Sequence, residues 1–112
     1  MLQKEKTKYR IEMIQDDIDE AETQDTQNGP MNLAIERCID DAHDSIIKED
    51  FLVFYVKDRV YQIEMSKQLK EYAENSYSMD ELIEPITFII EIEEVFDYLA
   101  VGFAHLEQKS SP

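Results

Sequence analysis

The stretch Ile86-Thr87-Phe88-Ile89-Ile90-Glu91-Ile92-Glu93-Glu94-Val95-Phe96-Asp97-Tyr98-Leu99-Ala100-Val101-Gly102-Phe103-Ala104-His105-Leu106 decides the fold, because it can be read with two periods. Phe88, Ile92, Val95, Leu99, Phe103 and Leu106 recur at three- and four-residue spacing, with Glu93 and Asp97 opposite, which predicts a long C-terminal helix over about 86–108. The β-branched opening Ile86-Thr87-Phe88-Ile89-Ile90 favours instead a strand over 86–92. The helical reading is preferred here, and the alternative makes residues 86–92 a third strand.

Upstream, Phe51-Leu52-Val53-Phe54-Tyr55-Val56 is a continuous run of aromatic and aliphatic residues that reads as a strand apolar on both faces. After the charged break Lys57-Asp58, the segment Arg59–Met65 alternates, with Tyr61, Ile63 and Met65 on one side and Gln62 and Glu64 on the other. These two runs predict a central two-stranded antiparallel β-hairpin. Ser66 then caps a short helix through Glu74 that turns Leu69, Tyr72 and Ala73 inward. Ser78-Met79-Asp80-Glu81 is a further helix-start signal, of the capping-box type, ahead of Pro85.

The N-terminal half reads as an αα-hairpin. Ile11, Ile14, Ile18 and Ala21 form the apolar stripe of a first helix over about Gln3 to Thr23. It stops in Asp25-Thr26-Gln27-Asn28-Gly29-Pro30. A second helix starts at Pro30, with Met31, Ile35, Cys38, Ile39, Ala42 and Ile46 on its inner side. The expected architecture is therefore α+β in one domain over residues 1–112, with 109–112 a frayed tail.

Charge is the strongest compositional signal. The 112 residues carry 11 Lys and Arg against 26 Asp and Glu, a net charge of −15, with 43% hydrophobic residues and 10% aromatics. The excess of acid argues against direct nucleic-acid binding, and the apolar content argues against a disordered tail. The charge is segregated. Residues 1–10 sum to +3, 11–50 to −11, 51–75 to zero and 76–112 to −7.

Few chemistries survive inspection. Two glycines, Gly29 and Gly102, cannot build a phosphate-cradling loop, and no serine stands in a Gly-x-Ser-x-Gly elbow. The single cysteine, Cys38, excludes an internal disulfide and falls on the apolar side of the second helix, the place of a small buried hydrophobe. Glu36, Asp40, His43 and Asp44 are the best metal-ligand candidates, at spacings that align them on one helix face, but that pattern reads better as a solvated face. His105 is expected to interact with the C-terminus of the last helix. No calcium-binding loop, bound metal or cofactor is expected, nor an enzyme.

What remains is the carboxylate pattern. Glu12, Asp16, Asp17, Asp19 and Glu20 gather on the outer side of the first helix. Glu36, Asp40 and Asp44, with Asp41 beside them, form a four-residue ladder on the second. Helical neighbours at that spacing lie about 5 to 6 Å apart. That spacing is close to the separation of phosphates along a nucleic-acid strand, one charge per ~3.4 Å of axis on each strand. These nine residues are the candidate partner-binding surface, and a basic protein that binds nucleic acid is the expected partner.

In size, charge and compact α+β build the chain is similar to acidic anti-defence proteins of phages and mobile elements, which implies an inhibitor of a Cas nuclease or restriction enzyme. An immunity protein or antitoxin against a basic toxin, and a phage assembly chaperone or adaptor, are the other readings. No membrane span or secretory signal is legible, so a cytoplasmic protein is expected, in the host cell if phage-encoded. The many large apolar groups, Phe96, Tyr98 and Phe103 among them, also suggest a homodimer through the strand edge or the last helix.

Overall fold

A computed structural model of the chain describes residues 7–21, 29–78 and 84–107. In order they form β1 (Thr7–Glu12), α1 (Gln15–Glu20), α2 (Pro30–Cys38), β2 (Ala42–Lys48), β3 (Phe51–Val56), β4 (Arg59–Met65), α3 (Lys67–Ser78), β5 (Thr87–Val95) and β6 (Leu99–Leu106). The strands build one curled, mixed, six-stranded sheet in the order β1-β5-β6-β4-β3-β2. All neighbours are antiparallel except β4 and β6, which run parallel.

This overturns the expected α+β arrangement with its αα-hairpin and long C-terminal helix. The protein is mostly β, a half-barrel. The stretch 86–108 folds as a hairpin. Phe88, Ile90 and Ile92 point inward from β5, and Ala100, Gly102 and Ala104 share that face on β6. A helical stripe could be drawn through these residues because the strands are apolar on both faces, and such a run satisfies any period. Small residues on β6 allow close approach of β5. A Cβ on Gly102 would lie 2.1 Å from the Glu91 carbonyl oxygen, so only glycine fits beside the bulge between Ile92 and Glu94.

The first expected helix is also replaced, by β1 and the six-residue α1. Ile11 is buried in the sheet, whereas Ile14 is the exposed residue that caps α1, so the stripe drawn through both belongs to no single helix. The second helix stops at Cys38 rather than continuing to Ile46. Ile39 turns extended, Asp41 takes a left-handed conformation (φ 65°), and Ala42–Lys48 pairs with β3 instead. The central hairpin stands at Phe51–Val56 and Arg59–Met65, as the middle of the sheet rather than alone. Ser66 caps α3, its hydroxyl accepting the Leu69 N–H at 3.2 Å. The start signal at 78–81 and the tail at 109–112 fall outside the described residues, apart from Ser78 as the last residue of α3.

One hydrophobic core lies on the inner face of the sheet. Phe54 stacks on Tyr61 at 5.0 Å, and Phe88, Ile90, Leu52 and Ile63 meet Met31, Ala34 and Ile35 of α2 and Leu69 and Ala73 of α3. Because α2 touches both β2 and β1, the two edge strands, it closes the seam of the half-barrel. Among the described residues, α2 and α3 pack on the inner face and no helix covers the outer one. There, Val53, Val101 and Phe103 are half-buried beside Gln62 and Glu64. No helix among the described residues is long and apolar enough to cross a membrane.

Candidate functional site

The acidic surface is organised around Arg37. Near the end of α2, its guanidinium makes two hydrogen bonds to the carboxylate of Asp17, Nε at 3.2 Å and Nη2 at 2.9 Å, and Nη2 also donates to the Glu12 carbonyl. Asp17 additionally accepts the Ile14 N–H at 3.0 Å, which starts α1 from its third residue. The hydrogen bond to Asp17 is the main reason the Arg37 guanidinium is held even above its usual range. Thus the one arginine of this region is consumed in fastening α1 and the end of β1 to α2.

The nine candidate residues separate accordingly. Asp17 is buried and neutralised, so it belongs to the scaffold and not to the surface. Glu12, Asp16, Asp19 and Glu20 are exposed on the β1–α1 side, and Glu36, Asp40, Asp41 and Asp44 on the α2–β2 side. Several are tethered. Gln15 donates to Asp19 at 2.9 Å, Arg10 pairs with Glu12, and the Glu36 carboxylate accepts the Ser45 N–H at 3.3 Å.

The regular ladder expected at Glu36, Asp40 and Asp44 does not exist. Glu36 is on α2, Asp40 is in the turn, and Asp44 is on β2 in a left-handed conformation (φ 52°) at an irregularity of the β2–β3 pairing. Spacing counted along a helix fails because the helix ends first. What persists is density: eight exposed carboxylates, for which the described residues of 11–48 supply only Arg37 and Lys48 as cations.

The metal candidates are dispersed by the same break. His43 lies on β2, its Nδ1 2.9 Å from the Asp44 carboxylate and its ring stacked on Tyr55. Among the described residues no group of three or more His, Cys, Asp or Glu side chains is placed to hold a metal ion. Cys38 is half-buried with its thiol facing the Glu12 carbonyl at 3.8 Å. His105 sits on β6 and not at a helix end. Its Nε2 lies 2.7 Å from Glu91, and this bond, more than nearby Lys8, holds the Glu91 carboxyl below its usual range.

Sequence reasoning missed two contributions. Arg37 was visible only as a charge, since its partner lies twenty residues away on an element read differently. The cations Lys8, Arg10 and Lys48 alternate on strand faces that only the β reading reveals. Comparison with family models, curated proteins and solved structures returned no match.

Proposed function

We propose that the chain is a non-enzymatic binding protein that presses its acidic surface into the basic nucleic-acid-binding cleft of an effector such as a Cas nuclease or restriction enzyme, and so blocks it. The observation that carries this reading is the set of exposed carboxylates Glu12, Asp16, Asp19, Glu20, Glu36, Asp40, Asp41 and Asp44, which among the described residues meets Arg10 at Glu12 and His43 at Asp44, while Arg37 is spent on buried Asp17. A net charge of −15 exceeds the magnitude of about 2 to 8 that serves solubility in a small domain. Such a surface draws a cationic partner by long-range attraction and repels nucleic acid itself. It competes for the cleft through charge density, without the regular phosphate-like row.

The test is competition. A partner captured from host lysate should release nucleic acid when this protein is added. Reversing Asp16, Asp19, Glu20 and Asp40 to Lys should abolish the release, and release that survives the reversal refutes the reading. Asp41 and Asp44 are left in place because their left-handed backbone suits aspartate better than lysine.

An immunity protein acting on a basic toxin would use the same surface and is distinguished by the partner's identity. The assembly-adaptor reading draws on another observation, the outer face of the sheet, which no helix covers among the described residues. It predicts binding that ignores the charge reversal.

A further inference from the structure

Arg59 brings a cation to the inner face of the half-barrel. It opens β4 on the side shared with Tyr61 and Ile63, is half-buried, and stands opposite Val56 in the β3–β4 pairing. The chain has two other arginines and both are paired, Arg10 with Glu12 and Glu107, and Arg37 with Asp17. Arg59 has no carboxylate within ion-pair distance among the described residues, in a chain with 26 Asp and Glu. Its Nε is also the one buried side-chain nitrogen or oxygen among them without a hydrogen-bond partner. An enclosed, charged donor left unpaired lowers stability, so the fold keeps a guanidinium here at a cost. We infer that Arg59, with the hydroxyls of Tyr9 and Tyr61, is a binding site for a small monocarboxylate with an apolar body.

The surroundings narrow the ligand. Tyr9, inward on β1, shares a hydrogen bond with the Tyr61 hydroxyl and lies close enough to feel the Arg59 charge. Two hydroxyls joined by one bond use only one of their protons, which leaves a hydroxyl donor near the guanidinium. With Nε enclosed, the Nη groups are what Arg59 offers, and a planar carboxylate takes two such N–H donors side by side. The neighbouring groups are apolar. Val56 stands beside Arg59, Phe54 stacks on Tyr61, and Ala100 is its partner on β6. The adjoining β5–β6 turn, whose Tyr98 carbonyl accepts the Val60 N–H at 2.9 Å, leaves Phe96 and Tyr98 exposed. These groups suit an apolar or aromatic ligand body. The net charge of −15 repels each further negative charge, which selects a monocarboxylate over phosphate esters and nucleic acid. The site stands whether or not the acidic surface is a recognition surface.

The experiment is isothermal titration calorimetry of the full chain with benzoate and octanoate as probes, and with acetate and inorganic phosphate as controls that lack the apolar body. Saturable one-to-one binding of at least one probe is expected, with Kd below about 1 mM and at least about tenfold tighter than either control. Arg59→Met should weaken it at least about 20-fold, and Arg59→Lys, which keeps the charge without the fork, about three- to tenfold. Arg59→Met also removes the unpaired donor, so its Tm should equal or exceed that of the parent. Four results overturn the proposal: no saturable binding of either probe, phosphate or acetate bound as tightly as both probes, undiminished binding by Arg59→Met, or a Tm lowered by more than about 5 °C in that variant, which would make the arginine a structural strut.

Discussion

Replacing Arg37 with methionine removes the joint that fastens the acidic surface to the half-barrel. The Asp17 side chain is only 6% exposed and accepts three hydrogen bonds, of which two come from Arg37. The substitution leaves a buried carboxylate with the Ile14 N–H alone. Removing one partner of a fully buried ion pair costs about 3 to 5 kcal/mol. The Arg37 side chain is 44% exposed, so water can enter its place, and the cost falls to about 2.5 kcal/mol. With an unfolding entropy near 2.1 cal/mol/K per residue over 112 residues, that lowers Tm by about 10 °C. Urea denaturation of Arg37→Met, Asp17→Asn and the double variant checks the claim. The double variant should lose less than the two single losses combined, by about 1 to 2 kcal/mol. A single Arg37→Met effect below about 0.5 kcal/mol, or full additivity, refutes the reasoning.

Other predictions follow from the same geometry. Gly102→Ala forces β6 away from the Glu91 carbonyl and should cost about 3 kcal/mol, read as a Tm loss near 12 °C; a loss under about 1 kcal/mol contradicts the close approach. Lys57, exposed in the two-residue β3–β4 turn with φ 56°, should accept glycine with a gain of about 0.5 kcal/mol, the left-handed strain relieved less the added chain entropy, and an unchanged or lower Tm counts against it. Because His105, chiefly, depresses the Glu91 pKa in the folded chain, the resulting stability is present above the unfolded-state pKa and lost as pH falls through the folded one. The urea midpoints of the parent and Glu91→Gln should therefore differ at neutral pH and converge in acid, and a difference that does not change with pH contradicts the assignment.

What the sequence revealed depended on whether a strand kept one wet face. Arg59–Met65 alternates because Gln62 and Glu64 face outward, and it is legible. Thr87–Val95 and Leu99–Leu106 carry apolar groups on both faces, Phe88 and Ile90 inward with Ile89 and Phe103 outward, so period two is masked and a helical stripe can be drawn. The alternation Ala100, Gly102, Ala104 was the overlooked signal for a strand pressed against its neighbour. Thr7–Glu12 failed differently. Its inward Tyr9 and Ile11 are too few to outweigh the three- and four-residue spacing of Ile11, Ile14 and Ile18. For the acidic surface, the charge itself was legible from composition. Its arrangement was not, because Asp17 is removed from it by a partner distant in sequence, and a change of element carries Asp44, still exposed, off the helical ladder and onto β2.

The most direct test of the acidic surface as a recognition surface is the salt dependence of binding to the captured partner, compared between the parent and the Asp16, Asp19, Glu20, Asp40→Lys variant. Parent affinity should fall by about 100-fold between about 50 and 300 mM salt, with the variant binding at least about 100-fold more weakly at the low end. Equal affinities and equal salt slopes for the two proteins would contradict a recognition role.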